Sequence, residues 1–306
     1  MAPERGTRGG RVVRARAFAK VNLSLRVLGV RPDGYHELRT VFQSLALHDT
    51  LTLTPARGPL RIECDDPACP VDRANLVWQA AERMWRAAGR RGAPRGVRVV
   101  LAKRMPLGAG LGGGSSDAAA ALRAFAVVWD APASRGRLQT LAAGLGADVP
   151  FFLDGGTALG VERGDALFPL IDAPASWVVL VLPEFGVSAR EAYGWFDEAG
   201  ASSSRLREAA SALPLPAVDL RNDLEGAVAA RHPSIRRFIG ALRRHGAWHA
   251  AMSGSGSAVF ALFATRRAAD TAARALEGRG RRIVVTRTIG RREYERRARP
   301  GGGRGS

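Results

Sequence analysis

The sequence predicts an α+β protein of two domains, and three observations lead to this prediction. The chain has 306 residues, which is more than one small hydrophobic core usually serves. A glycine-rich loop at residues 106–116 lies between a strand-like apolar segment and an alanine-rich helical segment. From residue 11 to about residue 290, segments with a strand period are interspersed with segments that have a helical period.

The loop at residues 106–116, PLGAGLGGGSS, is the most informative motif of the chain. Glycine at this density leaves backbone N–H groups uncovered and permits positive φ, so the chain can wrap closely around an anion. A helix predicted from residue 117 directs its N-terminal amides and positive dipole end towards the loop. The loop and the helix together predict a phosphate-binding site.

Known phosphate-binding patterns match this loop only in part. Gly108, Gly110 and Gly113 have the dinucleotide-binding spacing, but no βαβ unit opens the chain. A Walker A loop would have lysine at Gly114, so a cation for the β- and γ-phosphates must come from elsewhere. A flexible Gly/Ser linker is the alternative. The strand predicted at 97–102 and the helix directly after the loop argue against a linker.

Lys20 and Lys103 are the two lysines among 46 basic residues. Because arginine is so strongly preferred elsewhere, the bias indicates that lysine occurs where a compact ammonium group is needed. The alternative, for either residue, is that the lysine is present by chance. Lys20 lies in a predicted strand at 17–27, where it shares the polar face with Asn22, Ser24 and Arg26. The alternation does not distinguish a solvated face from one that lines a cleft.

Three further side chains are candidates for chemistry. A turn signal at residues 31–34 places Tyr35 and His36 before a second strand predicted at 38–53. Tyr35 offers a ring for stacking, and His36 offers a hydrogen-bond donor and acceptor for the edge of a base. The alternative is that the two side chains pack, partly buried, under the turn. Asp148 follows a helix in the mostly apolar segment 141–152. It is either an N-cap or Asx-turn residue or a general base near a hydroxyl.

The net charge of +18 suggests nucleic-acid binding, but its distribution weakens that interpretation. Residues 1–16 carry five Arg against one Glu, and residues 291–306 carry six Arg against two Glu. We expect residues 1–10 and 291–306 to be disordered basic ends. The other arginines lack interleaved aromatic residues. A basic surface that attracts anionic metabolites is therefore expected, with no specific nucleic-acid partner.

Cysteine usage and hydropathy predict a cytoplasmic protein with no membrane partner. Cys64 and Cys69 do not have a zinc-site spacing, so we expect reduced thiols. No apolar run approaches the length of a membrane span, and the first residues lack the apolar segment of a signal peptide.

Four segments occur in an order that resembles the GHMP kinase superfamily. They are AKVNL at 19–23, the loop 106–116 with its helix, GADVPF at 146–151 and MSGSGSAVFA at 252–261. Three more segments, RPDGYHEL at 31–38, NL at 75–76 and NDLE at 222–225, are similar to one group of members. The acceptor of that group is a cytidine diphosphate-linked methylerythritol of the non-mevalonate (MEP) isoprenoid pathway. The resemblance extends from about residue 15 to residue 290.

The resemblance implies a two-domain GHMP kinase fold. Residues 11–160 would form an N-terminal ATP-binding domain of the ribosomal protein S5 domain 2-like type, with an unusual left-handed βαβ crossover. Residues 161–290 would form a ferredoxin-like C-terminal domain, which the pattern supports with strands near 176–182, 257–263 and 282–288 and helices near 189–212, 234–245 and 267–277. The active site is expected in the cleft between the domains, in a monomer or weak homodimer.

The implied activity is ATP-dependent phosphorylation of the 2-hydroxyl of 4-diphosphocytidyl-2-C-methyl-D-erythritol, with ATP and Mg²⁺ as cofactors. Lys20 and Asp148 are the implied catalytic pair, with Asp148 taking or orienting the hydroxyl proton and Lys20 steadying charge. The residues implied to bind ATP are Asn75, Lys103, Pro106, Leu107, Gly108, Ala109, Gly110, Leu111, Gly112, Gly113, Gly114, Ser115 and Ser116. The residues implied to bind the acceptor are Asn22, Tyr35, His36, Trp195, Ser253, Gly254, Ser255 and Gly256.

Within this assignment, Tyr35 stacks on the cytosine, His36 reads the base edge, and Trp195 is preferred over Tyr193 as the second stacking ring. The superfamily often places a Mg²⁺ ligand on the serine that ends the loop, here Ser116. The sequence does not identify its glutamate partner. Two alternatives stay open: a GHMP kinase with another acceptor (homoserine, mevalonate or a sugar), and a basic nucleic-acid-binding protein on the same fold.

Overall fold

The computed structural model describes residues 11–200 and 220–303, which form a seven-stranded and a four-stranded β-sheet with packed helices. In chain order the described elements are β1 (Val12–Val30), β2 (His36–Pro59), β3 (Arg61–Cys64), α1 (Leu76–Ala87), β4 (Arg95–Ala102), α2 (Gly113–Val128), α3 (Arg135–Ala143), α4 (Phe151–Asp154), β5 (Thr157–Glu162), β6 (Ala166–Pro169), β7 (Trp177–Pro183), α5 (Ala189–Glu198), α6 (Glu225–Arg231), α7 (Ser234–Arg244), β8 (His249–Met252), β9 (Val259–Phe263), α8 (Arg266–Ala275), β10 (Arg281–Arg287), α9 (Arg291–Ala298) and β11 (Gly301–Gly303). Within this described part, no helix combines the length and the apolar character that a membrane span needs.

The first sheet is built around the long strands β1 and β2. Its order is β11-β1-β2-β4-β3, with β5 on β2 and β6 on β5. The first part of β2 pairs with β5, and its later part pairs with β4. β3 is parallel to β4 and α1 connects them, so the three elements form a βαβ unit.

The first helices follow from local sequence signals. Asn75 caps α1 by accepting a hydrogen bond from Val77 N at 2.8 Å. The buried residues of α1 form one helical stripe: Val77, Ala80, Ala81, Met84 and Trp85. The alanine-rich face of α2 packs beside α1, and together with the sheet they enclose the core of the first domain.

The second sheet has the order β10-β7-β9-β8 and is antiparallel throughout. When its strands are numbered 1 to 4 along the chain, their order across the sheet is 4-1-3-2, and this order together with the helices matches the predicted ferredoxin-like domain. The strands predicted near 176–182, 257–263 and 282–288 correspond to β7, β9 and β10. β8 and α6 were not predicted from the sequence, and residues 201–212 of the helix expected at 189–212 lie outside the described residues.

The two domains share an apolar core. Val21 and Leu23 of β1 belong to a cluster with residues of the second sheet, among them Leu180 and Phe260. Backbone hydrogen bonds also join the domains, since Leu25 N donates to Arg221 O and Asp223 N donates to Leu25 O, both at 2.9 Å. The apolar face of β1 is therefore covered by the second domain.

Two of the predicted segment boundaries are wrong. β5 and β6 both belong to the first sheet, so the domain boundary lies between Pro169 and Trp177, not at residue 160. Most of the tail expected to be disordered from residue 291 is ordered as α9 and β11, and β11 pairs with β1. The reason is that Tyr294 and Ala298 on one face of α9 are buried against Phe18, while the arginines dominate its composition. Residues 1–10 and 304–306 lie outside the described residues.

Candidate active site

The polar face of β1 lines a cleft of about 980 Å³ between the two domains. Lys20 and Asn22 of β1 line the cleft with their side chains almost fully buried. The other walls come from β2, the turn at residues 144–148, α5 and the loop at residues 254–255. Of the two interpretations of this strand face, the one that lines a cleft is therefore correct.

Lys20 and Asp148 lie together in this cleft. Lys20 Nζ is 3.4 Å from Asp148 Oδ2, and the exposed fractions of the two side chains are 5% and 34%. The ammonium is fixed because it also donates to Asn22 Oδ1 at 2.6 Å. Asn22 Nδ2 in turn donates to Thr40 Oγ1 at 2.7 Å, and Thr40 Oγ1 donates to Ser24 O at 2.7 Å. No role was expected for Thr40, because the sequence carries no signal for one.

The glycine-rich loop ends in the N-terminus of α2. The helix begins at Gly113, four residues earlier than predicted, because Gly112 caps it in the left-handed region at φ +71°. Ser116 N donates to Gly112 O at 2.8 Å as the first helical bond, which leaves the preceding amides of the first turn for a ligand. A Cβ at Gly112 would lie 3.2 Å from Lys20 Cε. The positive end of a 16-residue helix therefore lies beside Lys20.

The loop at residues 253–256 of the second domain packs on this glycine-rich loop. Ser253 Oγ donates to Gly110 O at 2.9 Å, and Gly256 lies against Gly110 so closely that neither position has room for a Cβ. Gly254 and Ser255 line the cleft. Asn222 supports this loop by donating to Met252 O at 2.9 Å and to Gly254 O at 2.7 Å. Asn222 belongs to the NDLE segment, which carried the family resemblance without an assigned role.

Aromatic residues line the other end of the cleft. The His36 ring stacks on the Tyr193 ring with centroids 4.6 Å apart, and His36 Nε2 is 2.9 Å from Asp197 Oδ1. Burial raises the pKa of Tyr193, so its phenol is neutral at ordinary pH. Tyr35 lines the cleft with 58% of its surface exposed, and the Arg163 guanidinium lies 5.3 Å from its ring centroid.

Trp195 does not line the cleft, so the preference for Trp195 over Tyr193 is wrong. The two residues are two positions apart on α5, and side chains at that spacing lie on different faces of a helix. Tyr193 faces the cleft. The Trp195 ring has its centroid 5.8 Å from that of the His232 ring, and the Arg231 guanidinium lies 4.9 Å from the Trp195 ring centroid.

Three residues that were expected near ATP or the metal have their polar groups engaged inside the protein. The buried Lys103 ammonium pairs with Asp49 and, at 2.7 Å, with Asp117. Burial raises the pKa of Asp117. Asn75 Oδ1 caps α1 while its Nδ2 donates to Pro70 O at 2.6 Å. The Ser116 hydroxyl donates to Phe18 O at 2.7 Å. These contacts do not support a direct contact of the three side chains with ATP or the metal.

The remaining loop residues take two kinds of position. Ala109 and Leu111 are buried in the core between the domains, and Leu111 O accepts from Lys20 N at 3.0 Å. Ser115 lines the cleft. The residues on the outer side of the loop or at its helical end are Pro106, Leu107, Gly108, Gly113 and Gly114. The loop therefore offers backbone groups more than side chains to a ligand.

The described residues contain no group of three or more His, Cys, Asp or Glu side chains that could hold a metal ion. Asp148 and Asp197 are the carboxylates that line the cleft. Mg²⁺ commonly uses one or two carboxylates and takes its other ligands from phosphates and water. This donor set therefore fits a metal ion that arrives with a nucleotide.

Comparisons with known proteins place the chain in a family. The family model for the GHMP kinases N terminal domain matches residues 75–156, and the model for the GHMP kinases C terminal matches residues 191–282. The chain belongs to the GHMP kinases, which are ATP-dependent kinases, and the predicted fold class is confirmed.

Relatives of known name identify a narrower family within the GHMP kinases. The 4-diphosphocytidyl-2-C-methyl-D-erythritol kinase of Moorella thermoacetica is 40% identical over 282 residues, covering 89% of this chain and 98% of the relative. The enzyme of the same name from Deinococcus radiodurans is 44% identical over 267 residues, covering 86% and 88%. A crystal structure of 4-(cytidine 5'-diphospho)-2C-methyl-D-erythritol kinase matches with a TM-score of 0.73 and 37% identity, covering 90% of this chain and 99% of that one. Within the GHMP kinases, the chain belongs to the 4-diphosphocytidyl-2-C-methyl-D-erythritol kinase family.

Proposed function

We propose that the chain transfers the γ-phosphoryl group of ATP to the 2-hydroxyl of 4-diphosphocytidyl-2-C-methyl-D-erythritol. One observation carries this proposal: a single cleft joins the Lys20–Asp148 pair to the aromatic group of Tyr35, His36 and Tyr193. An acceptor with a reactive polyol at one end and a pyrimidine at the other matches both ends of such a cleft. The names of the relatives support the same acceptor.

The catalytic pair acts on the acceptor hydroxyl. Asp148 presents an accessible carboxylate that accepts the hydroxyl proton while the oxygen bonds to the γ-phosphorus and ADP leaves. Lys20, held by Asn22, stabilises negative charge on Asp148 and on the transferring group. A general base contributes roughly 10²–10⁴-fold, so positioning and electrostatic stabilisation supply the rest.

The nucleotide phosphates bind at the glycine-rich loop and the N-terminus of α2. Backbone amides there supply hydrogen bonds that need no side chain, which accords with the buried state of Lys103 and Ser116. Mg²⁺, when bound with the nucleotide, neutralises charge on the phosphates. Phosphate oxygens and water would supply most of its ligands.

The acceptor's cytosine binds at the aromatic end of the cleft. Tyr35 and Tyr193 supply stacking faces, and His36, oriented by Asp197, reads the base edge. Gly254 and Ser255 close the site from the second domain. We also propose a cytoplasmic monomer or weak homodimer, which the free state of Cys64 and Cys69 supports for the location.

The test is ADP release by the purified protein with Mg-ATP and one of four acceptors. The acceptors are 4-diphosphocytidyl-2-C-methyl-D-erythritol, homoserine, mevalonate and galactose. Turnover with the cytidylyl acceptor alone is expected. Turnover with another acceptor would keep the kinase chemistry and overturn the cytidine site. No turnover by folded protein, with tight and salt-dependent binding to nucleic acid, would favour the basic-binder alternative.

A further inference from the structure

The segment after β10, residues 289–303, returns to the first domain, and we name it the C-terminal strap. Ile289 N donates to Ser44 O at 3.0 Å, where the chain leaves the second sheet. α9 then packs on β1 and α4, and β11 pairs with β1 at Val12, Val13 and Arg14. The strap therefore packs against the domain that carries Lys20 and Asp148.

Tyr294 anchors the strap. Its side chain is 1% exposed, and its hydroxyl donates to Phe152 O at 2.6 Å. Its ring lies 5.2 Å from the ring of Phe18. Gly155 makes room for the ring, since a Cβ there would lie 2.2 Å from Tyr294 Cγ. Tyr294 and Ala298 are the buried residues of α9, and Tyr294 supplies the larger buried side chain.

The two contacts of Tyr294 lead to the two catalytic groups. Phe152 lies four residues after Asp148, in a turn where Phe152 N donates to Val149 O at 3.1 Å. Phe18 lies two residues before Lys20, and its carbonyl accepts the Ser116 hydroxyl at 2.7 Å. Tyr294 therefore contacts both the segment that carries the base and the strand that carries the lysine.

The strand needs this support because its pairing is irregular there. The register between β1 and β2 shifts between Phe18 and Lys20, so the ladder is interrupted one residue before the lysine. The Phe152 ring also bears on the glycine-rich loop, since a Cβ at Gly112 would lie 2.6 Å from it. A displacement of the strap would thus move Lys20, Asp148 and the start of α2 relative to one another.

We propose that Tyr294 is a positioning residue for the Lys20–Asp148 pair and that the C-terminal strap holds the two halves of the pair in register. This inference rests on the phosphoryl transfer proposed above. Small misplacements matter in such a site, because about 1 Å at the reacting groups can lower a rate by roughly 10²-fold.

The test compares Tyr294→Phe, Tyr294→Leu and wild type in steady-state kinetics. Tyr294→Phe keeps the ring and loses the hydrogen bond, so we expect kcat to fall roughly three- to tenfold, with both KM values changed by less than about twofold. Tyr294→Leu should lower kcat further. The matched control is Trp85→Phe, which removes a donation to a backbone carbonyl, Arg91 O at 3.1 Å, on a helix away from the cleft. It should leave kcat unchanged.

Hydrogen exchange provides a second measurement that needs no substrate. The amides of Val149 and of residues 151–153 should exchange faster in Tyr294→Phe than in wild type, and should not do so in Trp85→Phe. An unchanged kcat in Tyr294→Phe, or unchanged exchange in that segment, would overturn the proposal. If wild type uses another acceptor of the panel, the assigned substrate fails, and the same kcat comparison is made with that acceptor. If wild type turns over none, the exchange result alone decides whether Tyr294 orders the Asp148 segment.

Discussion

Asp148 gains its chemical significance from its neighbours. The residue follows a helix and stands in a tight turn, so sequence alone allowed an Asx-turn residue as well as a base. In the structure its carboxylate lies 3.4 Å from a lysine that is fixed by Asn22, and it remains accessible from the cleft. A buried structural carboxylate would have its lone pairs occupied by backbone amides, whereas this one faces open volume.

The role of Asp148 predicts the behaviour of Asp148→Asn. The amide keeps the size of the side chain and loses the ability to accept a proton, so kcat should fall by roughly 10²–10⁴-fold. The KM for ATP should change little. Steady-state kinetics check this, with Asp270→Asn as the control, because Asp270 is a surface residue paired with Arg266 in α8. Retention of most activity by Asp148→Asn would remove Asp148 as the base.

The placement of Tyr193 and Trp195 predicts a contrast between two variants of α5. Tyr193→Leu removes the ring that faces the cleft and should raise the KM for the cytidylyl acceptor by about tenfold, since base–aromatic stacking contributes about 1–3 kcal/mol. Trp195→Leu alters a ring that packs on His232 and should leave that KM unchanged. Both residues lie on the same helix. An equal rise of this KM in both variants would therefore mean that the substitutions act by perturbing the helix, and it would contradict stacking of the base on Tyr193.

His249 on β8 predicts a pH dependence of stability. Burial lowers the pKa of His249 to about 4, from an ordinary value of 6.5. Between pH 4 and 6.5 the unfolded chain binds a proton that the folded chain does not, so stability falls as the pH falls through this window. His249→Gln should flatten that part of the stability profile in urea unfolding. His245→Gln, at an exposed position, should leave it unchanged, and an equal slope in both variants would contradict the prediction.

At the scale of elements, the site depends on the close approach of two glycine loops from different domains. A Cβ on Gly110 would lie 2.2 Å from Ser253 O, and Gly110 has φ +75°. Neither loop can move away easily, because Asn222 holds one and the start of α2 continues the other. The proposed phosphate site and the interface between the domains are therefore formed by the same residues.

This contact predicts that Gly110→Ala lowers the stability of the protein, whereas Gly136→Ala, at a glycine outside the contact, does not. Gly110→Ala should destabilise the protein by roughly 2–4 kcal/mol, because it combines backbone strain with a clash, and should raise the KM for ATP. Gly136→Ala in α3 has no atom within 4 Å of the new Cβ and no positive φ. It should be neutral or stabilise by up to about 1 kcal/mol. Urea unfolding of both variants measures the difference, and a mild effect at Gly110 would show that the loops can separate.

The sequence predicted elements better than it predicted their ends and neighbours. β1 follows from alternation, because a strand with one polar face has a local signature, and β7 and β9 follow from short apolar runs that are buried almost throughout. The tail from residue 291 was misassigned because one buried tyrosine outweighs many exposed arginines. Lys103 was placed near ATP by the family resemblance, and only the fold shows that it pairs with Asp49 and Asp117. Contacts between residues that lie far apart in sequence depend on how the elements pack, and the periodicity of the sequence carries no information about that packing.

At the scale of the whole molecule, the charge of +18 acts on substrates that are themselves anions. Acceptors with a diphosphate and ATP are both attracted by a basic surface, and salt screens this attraction within about 10 Å at 0.1 M ionic strength. Arg163 and Arg190 also line the cleft, so they act at short range. The net charge of the molecule and the arginines of the cleft therefore contribute differently to the attraction of substrates. Changes of ionic strength and of single residues can separate the two contributions.

This difference predicts the effect of Arg190→Gln against a remote control. Arg190→Gln should raise the KM for the cytidylyl acceptor several-fold at every ionic strength, because a charge beside the ligand is poorly screened. Arg267→Gln, at an exposed position on α8, removes the same net charge and should raise KM slightly at low salt and not at high salt. The measurement is KM for the acceptor from about 20 mM to 500 mM salt. Equal effects of the two variants would mean that only the overall field of the molecule attracts the acceptor and that Arg190 has no place beside its phosphates.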